Sequence, residues 1–317
     1  MSLERLAIVI IGRNEGARFL ACLEALPEGV GQVIYVDSGS TDGSIEAARE
    51  FGAEVVDLDR DQPFTAARAR NAGIARIEGA EMVQFLDGDC ALREGWIEAA
   101  LARLDADDGL AVVCGRRRER FPEASVFNRL CDVEWDTPVG PALACGGDAM
   151  MRVEALRGVD GYNGDLIAGE EPELCVRLRA AGWRVERVDA EMTWHDAGMT
   201  RFGQWWKRTK RAGHAFAEGA ALHGAPPERH WVRETRRALL WGAVLPVVIL
   251  AALLVSPRLG LVLALAYPVQ VVRLGLREGD WARAFFNVLG KFAEAQGALG
   301  YYLSRLRGRK RGLVEYK

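Results

Sequence analysis

Over the first 110 positions, short apolar runs alternate with amphipathic stretches. Residues 6–11, 32–36, 54–58, 82–86 and 110–115 read as buried strands of five or six residues. Between them, 16–26, 44–51, 65–77 and 94–104 repeat apolar positions at helical spacing. Strand and helix in turn predict βαβ units, hence an α/β fold with a Rossmann-like, mostly parallel sheet and helices on both faces. Ligands of such sheets bind beyond the carboxyl ends of the strands. The polar turns 37–43 and 87–89 fall at two of those ends.

The alternation lapses after residue 115. Arg116, Arg117 and Arg118, with the stretch on to Pro141, read as loops and short elements. Residues 171–181 form a helix stopped by Gly182, 184–188 a strand, and 192–194 a strand-like run into His195. A long helix with basic and aromatic faces follows at 200–222, and Pro226-Pro227 marks a linker. Residues 238–257 then carry no charge, and after Arg258 neither do 259–272. At ~1.5 Å per residue the first run alone spans a bilayer core of roughly 30 Å. The pattern predicts a folded α/β domain over 1–225, the one expected to carry any catalytic site, and a membrane-anchoring α-helical region over 226–317. The latter comprises a hairpin at about 238–276 and an interfacial helix at about 282–304.

Charge sharpens this division. The net charge is only −3, but residues 1–200 hold 21 Arg and no Lys against 37 acids, a net −16, and the remainder is +13. An acidic body on a basic, apolar tail suits an anionic membrane face better than nucleic acid. Arg233, Arg236 and Arg237 precede the hairpin and Arg273 and Arg277 follow it, so both ends should face the cytoplasm. The protein is expected at the cell membrane with its acidic body on the cytoplasmic side. Lys207, Arg208, Lys210 and Arg211 beside Trp205 and Trp206 would meet the headgroups, as would Arg305, Arg307, Arg309, Lys310 and Arg311. The six cysteines form no CxxC pair and read as buried or half-buried reduced thiols.

Chemistry gathers at the strand ends. Asp87-Gly88-Asp89 places two carboxylates around one small residue, a pair able to share Mg²⁺ or Mn²⁺ with phosphate oxygens. Asp37 can accept from a nucleobase or ribose, or simply shape an Asx turn. Arg68, Arg70 and Asn71 lie on the same side of the sheet, where Arg can fork onto a phosphate or pair with a metal-binding aspartate. Glu170 and Glu171 open a helix, as dipole-favoured caps or as a general base and its neighbour. His195 is either a third metal ligand or a structural histidine. Trp135 is either a core residue or a platform for a sugar.

Six segments, 9–15, 35–43, 67–73, 85–89, 146–152 and 169–179, together resemble the family 2 glycosyltransferases of the GT-A fold, over about residues 5–215. The resemblance implies that Asp37 binds the base and that Asp87 and Asp89 hold nucleotide and metal. Asn14, Glu15, Arg68 and Asn71 fall on the donor side, and Gly146, Gly147 and Asp148 on the acceptor side. It implies Glu171 as catalytic base, with Glu170 the alternative because many members have Glu-Asp here. Asp148 departs from the family's usual glycine segment. Gln204-Trp205-Trp206-Lys207-Arg208 lacks the Trp that follows the basic residue in processive synthases, which points to addition of a single sugar.

The function implied is metal-dependent, inverting transfer from a nucleotide sugar, a UDP-sugar foremost. The acceptor hydroxyl is lipid-linked or on a glycan, in envelope or exopolysaccharide synthesis. The alternatives are a sugar nucleotidyltransferase, which usually opens with a Gly-rich loop that residues 12–15 lack, and a catalytically dead membrane scaffold.

Overall fold

A strand buried at every position, β1 (Leu6–Gly12), is built from aliphatic residues on both faces, the pattern of a sheet covered by helices on both sides. The computed structural model describes residues 2–308 apart from 60 and 63, so Arg309, Lys310 and Arg311 of the expected headgroup cluster lie outside the described residues. The chain continues through α1 (Ala17–Glu24), β2 (Gln32–Asp37), α2 (Ser44–Phe51), β3 (Glu54–Asp57), α3 (Ala66–Ile74), β4 (Met82–Asp87), β5 (Cys90–Leu92) and α4 (Trp96–Asp105). Then come β6 (Leu110–Glu119), α5 (Val126–Glu134), β7 (Gly140–Pro141), β8 (Met150–Arg152), α6 (Val153–Gly158), α7 (Glu170–Ala180) and β9 (Arg184–His195).

One sheet runs in the order β3-β2-β1-β4-β8-β6-β9-β5, with β7 added on β9. Its first four strands are parallel, the predicted βαβ block. β8 enters antiparallel between β4 and β6, so the sheet is mixed beyond the block. Register brings Gly12 level with Asp37, and Ile11 level with Asp87. The carboxyl ends of three strands therefore open on one place.

Helix α3 begins where the Thr65 hydroxyl accepts the Arg68 N–H at 3.1 Å. Gly73 faces β1, and a Cβ there would overlap the Val9 side chain. Gly73→Ala would push a methyl into that β-branched side chain. We expect it to destabilise the fold by about 1–3 kcal/mol, and thermal melting against the parent chain measures it. An unchanged melting point would mean that the helix can slide without loss.

The structure corrects three expectations in the middle of the chain. Arg116, Arg117 and Arg118 are not loop: they extend β6 to Glu119. Arg116 pairs with Asp132 at 3.1 Å and Arg118 with Glu191 at 3.1 Å, while Arg117 is bound by Asp148. These neutralising partners are distant in sequence, so the run of charge hid the strand. Likewise 126–134 is a full helix, α5, started by the Ser125 hydroxyl. The two strand-like pieces at 184–188 and 192–194 are one twelve-residue strand, β9.

The chain divides into two compact units, residues 1–198 and 199–317. Among the described residues the second contains only helical elements: α8 (Phe202–His223), α9 (Val232–Leu239), a π-turn (Leu240–Val244), α10 (Leu245–Val255), α11 (Pro257–Ala264), α12 (Ala266–Glu278) and α13 (Trp281–Leu306). Gln204 caps α8, its side-chain oxygen accepting the N–H groups of Thr200 and Arg201 at 3.0 and 2.9 Å. Residues 232–255 and 257–278 make two continuous helices of mean hydropathy 2.7 and 1.8, each only 11% buried in its apolar window. Both are long and apolar enough to cross a membrane. Leu254 and Val255 are 90% and 84% exposed, which a soluble core helix would not tolerate. The π-turn brings Gly242 against the Lys291 carbonyl of α13, and Tyr267 donates to the Trp241 carbonyl at 2.7 Å. A close helix crossing and a donor for a displaced carbonyl are what such a turn requires.

Candidate active site

At the strand ends, Asp37 is wholly buried. One oxygen accepts from the Tyr35 hydroxyl at 2.9 Å, and the other from the Gly39 and Ser40 N–H groups at 2.6 and 2.8 Å. Of its two readings, the turn-shaping one is what the geometry displays. Asn14, in the left-handed region at φ +56°, accepts the Thr41 N–H at 2.7 Å and donates its own N–H to Ser40 at 2.9 Å. It ties the loop after β1 to the loop after β2. Glu15 is paired with Arg18 at 2.7 Å and lies under Gly88, where there is little room for a Cβ.

Beyond β2 and β3 opens a cavity of about 350 Å³, whose walls include Arg13, Ser38, Leu58, Phe64 and Arg68. The Arg68 guanidinium donates to the Gln62 and Asp59 carbonyls at 3.2 and 2.9 Å and so shapes that wall. Asn71 is directed elsewhere. Its amide donates to the Tyr162 carbonyl at 2.7 Å and accepts the Tyr162 N–H at 2.8 Å, holding the segment before α7.

Arg70 joins the end of β4 to the start of α7. Only 2% of it is exposed, and it meets three carboxylates: Asp87 at 2.9 Å, Glu171 at 2.8 Å and Glu170 at 3.2 Å. Of the two sequence-level options for this arginine, the structure takes the pairing with a strand-end aspartate. The two acids begin α7 because Gly169, at φ +80°, turns the chain into the helix there. Burial and the adjacent Glu170 charge push the Glu171 carboxyl up to about 7, against the lowering pull of Arg70. Glu170 is the deeper of the two, and the Glu171 side chain keeps 14% of its surface exposed. A carboxyl near neutrality with an open edge is suited to general-base work.

Pairing of β5 with β9 sets Cys90 opposite His195 and so carries the imidazole to Asp89. His195 Nε2 lies 3.3 Å from Asp89 Oδ2, and Cys90 completes a buried group within 4.8 Å. A carboxylate oxygen and an imidazole nitrogen at this separation fit adjacent positions on one divalent cation. The Cys90 thiol is pushed far up by burial, so it stays protonated and is a poor partner for a hard ion. Asp87, although in the same motif, is the carboxylate held by Arg70.

Gly147 covers this cluster. A Cβ there would stand 3.1 Å from Glu171 Oε1 and 3.2 Å from Asp87 Oδ2, and would overlap Arg70. Gly146 is packed against Arg117, whose guanidinium a Cβ would meet at 2.9 Å. Asp148 is fully buried, held by Arg117 and the Thr193 hydroxyl, and presents no surface to an acceptor. Trp135 is half-buried, its ring 4.8 Å from that of His195 and 5.4 Å from the Arg117 guanidinium. Arg117 was not singled out in the sequence, since three consecutive arginines look alike until a partner is visible.

The family model for glycosyl transferase family 2 matches residues 7–136. The glycosyltransferase AglE of Haloferax volcanii is 26% identical over 65% of this chain and 71% of its own length. An uncharacterized glycosyltransferase of Mycobacterium bovis is 31% identical over 60% of this chain and 85% of its own. Some curated relatives are longer, and the chain spans only 47% of one of them. A mannosyltransferase from Pyrobaculum calidifontis, solved with GDP-Man and Mn²⁺, superposes with a TM-score of 0.65 at 18% identity over 93% of this chain and 87% of that one. That likeness gives the GT-A fold. The sheet, the strand-end carboxylates and these matches agree, and the chain belongs to the family 2 glycosyltransferases.

Proposed function

We propose that this glycosyltransferase moves a sugar, with inversion, from a nucleotide-sugar donor to the hydroxyl of a lipid-linked or glycan acceptor at the cytoplasmic face of a membrane. The observation that carries this reading is Arg70, which binds Asp87 at the donor end and Glu171 at the acceptor end in one buried fork. The cavity beside Ser38 and Arg68 has room for a nucleobase, with the Phe64 ring available for stacking. Asn14 and Asp37 support this pocket through the loops they hold, and Glu15 through Gly88. Asp89 and His195 would hold Mg²⁺ or Mn²⁺, whose charge offsets that developing on the departing diphosphate.

Glu171 takes the proton from the acceptor hydroxyl, which attacks the anomeric carbon from the face opposite the leaving group. A single displacement inverts configuration. Arg70 keeps the base oriented and pairs with Asp87 beside it. Gly146 and Gly147 let the acceptor approach without a side chain in the way. The named relatives and the mannosyltransferase complexed with GDP-Man support a nucleotide-sugar donor, and we take a UDP-sugar as the first to test. The test combines a panel of nucleotide sugars with a lipid extract. Products are read by mass spectrometry and anomeric configuration by NMR. Retained configuration would remove Glu171 from the base role. Formation of a nucleotide sugar from a sugar phosphate would make the protein a nucleotidyltransferase, and no product from any donor would leave a scaffold.

Two outcomes test the parts. Chelation should abolish turnover, and Asp89→Ala should remove most Mn²⁺ binding in a calorimetric titration while the protein stays folded. Full turnover in excess chelator would leave Asp89 and His195 as structural neighbours. Residues 226–317, in this reading, hold the enzyme to the bilayer, with the basic residues at both ends of the hairpin on the cytoplasmic side. After cell breakage the full chain should sediment with membranes and be released by detergent but not by salt. Release without detergent would end the hairpin and the lipid-acceptor idea together.

A further inference from the structure

Two cysteines outside the catalytic groups lie close together beside them. Cys145 Sγ and Cys175 Sγ are 3.6 Å apart, across 30 residues of sequence. Cys145 immediately precedes Gly146 and Gly147, the segment that covers Arg70 and Glu171. Cys175 sits on α7, four residues and so about one turn beyond Glu171. Cys175 is buried, whereas Cys145 keeps part of its surface open. A disulfide needs the sulfurs at about 2.05 Å, so closure asks for little more than rotation of two side chains and a small shift of the loop.

We propose that Cys145 and Cys175 form a reversible disulfide site that locks the glycine segment over the catalytic acids. The oxidant is a small-molecule disulfide. A cysteine thiolate attacks one of its sulfurs, expelling one small thiolate and leaving a mixed disulfide. The second cysteine, as thiolate, attacks the protein sulfur of that intermediate and displaces the other half. Two protein thiols and one small disulfide become one protein disulfide and two small thiols, so protons and electrons balance. In the reduced state a shared hydrogen bond with Cys175, together with burial, pushes the Cys145 thiol well up. Cys145 therefore rests as the thiol and reacts slowly, as a threshold device should.

The consequence is geometric. Gly147 already lies so near Glu171 that a Cβ would stand 3.1 Å from its Oε1. The acceptor has to pass this glycine segment to reach the carboxylate, and a covalent tie from residue 145 to α7 fixes the segment where it lies. Oxidation should therefore lower turnover. The tie itself does not depend on the reading of donor and acceptor, although the loss of turnover rests on Glu171 as base.

The experiment treats the full chain in detergent with glutathione disulfide and maps the peptides under non-reducing conditions. The expected result is a linked Cys145–Cys175 peptide, a fall in donor turnover of about tenfold or more, and recovery with dithiothreitol. Cys175→Ala should abolish both the link and the sensitivity. Peptide mapping of the unsubstituted chain stands even if that variant folds poorly. Glutathione on single cysteines with no 145–175 link would overturn the site. A formed link with unchanged turnover would overturn the lock while leaving the proposed function intact.

Discussion

Replacing Glu171 by Gln is expected to lower turnover roughly 10²- to 10⁴-fold, the span of one general base, while donor affinity stays within about twofold. Gln keeps the shape and an oxygen for Arg70 but cannot take a proton. The pH profile gives the same residue a second signature. With its carboxyl held near 7 by burial and the Glu170 charge, the ionised base fills as pH rises. Activity should therefore climb from pH 6 to pH 8, and the residual activity of Glu171→Gln should lack that step. Stability runs the other way. The folded protein binds this proton more tightly than the unfolded chain does, so the contribution is whole below about 4.5 and lost as pH rises through about 7. Steady-state kinetics on Glu171→Gln and Glu170→Gln side by side decide the assignment. If Glu170→Gln alone is dead, the neighbours have exchanged roles; if neither matters, the base lies elsewhere.

Removing Arg70 should be the costliest substitution in the chain. Its guanidinium is 2% exposed and neutralises a cluster of three carboxylates. Arg70→Met fills similar space but leaves those acids facing one another without a cation. Breaking a buried pair in this way costs about 3–5 kcal/mol. For a unit of this size, that corresponds to a fall in melting temperature of roughly 6–20 °C. The substitution should also raise the Glu171 carboxyl further, because Arg70 is the main influence lowering it, so the base would be protonated at neutral pH. Arg70→Lys keeps the charge without the planar fork, and intermediate stability is expected. A melting point for Arg70→Met within a degree or two of the parent would show that the acids are neutral or hydrated rather than held by this residue.

The sequence alone determined the parts that depend on local pattern. β1 through β4 and their helices were legible because a buried parallel strand needs an unbroken apolar run and its crossover helix an amphipathic one. The two long apolar helices were legible for a similar reason, since length without charge suffices to mark them. Asp87, Asp89 and Glu171 stood out because carboxylates at strand and helix ends are chemically conspicuous. The tertiary structure decided whatever rests on a distant partner. Arg116–Arg118 looked like loop until Asp132, Asp148 and Glu191 came beside them. Only the fold separated Arg70 from Arg68: two positions apart on α3, the first is buried among acids and the second lines the cavity. It also settled the closeness of His195 to Asp89, which comes from the pairing of β5 with β9 across a hundred residues. Periodicity reports which face of an element is buried, but not what it meets there. A buried charge is held by its partner, and that partner is supplied by the way the chain returns on itself.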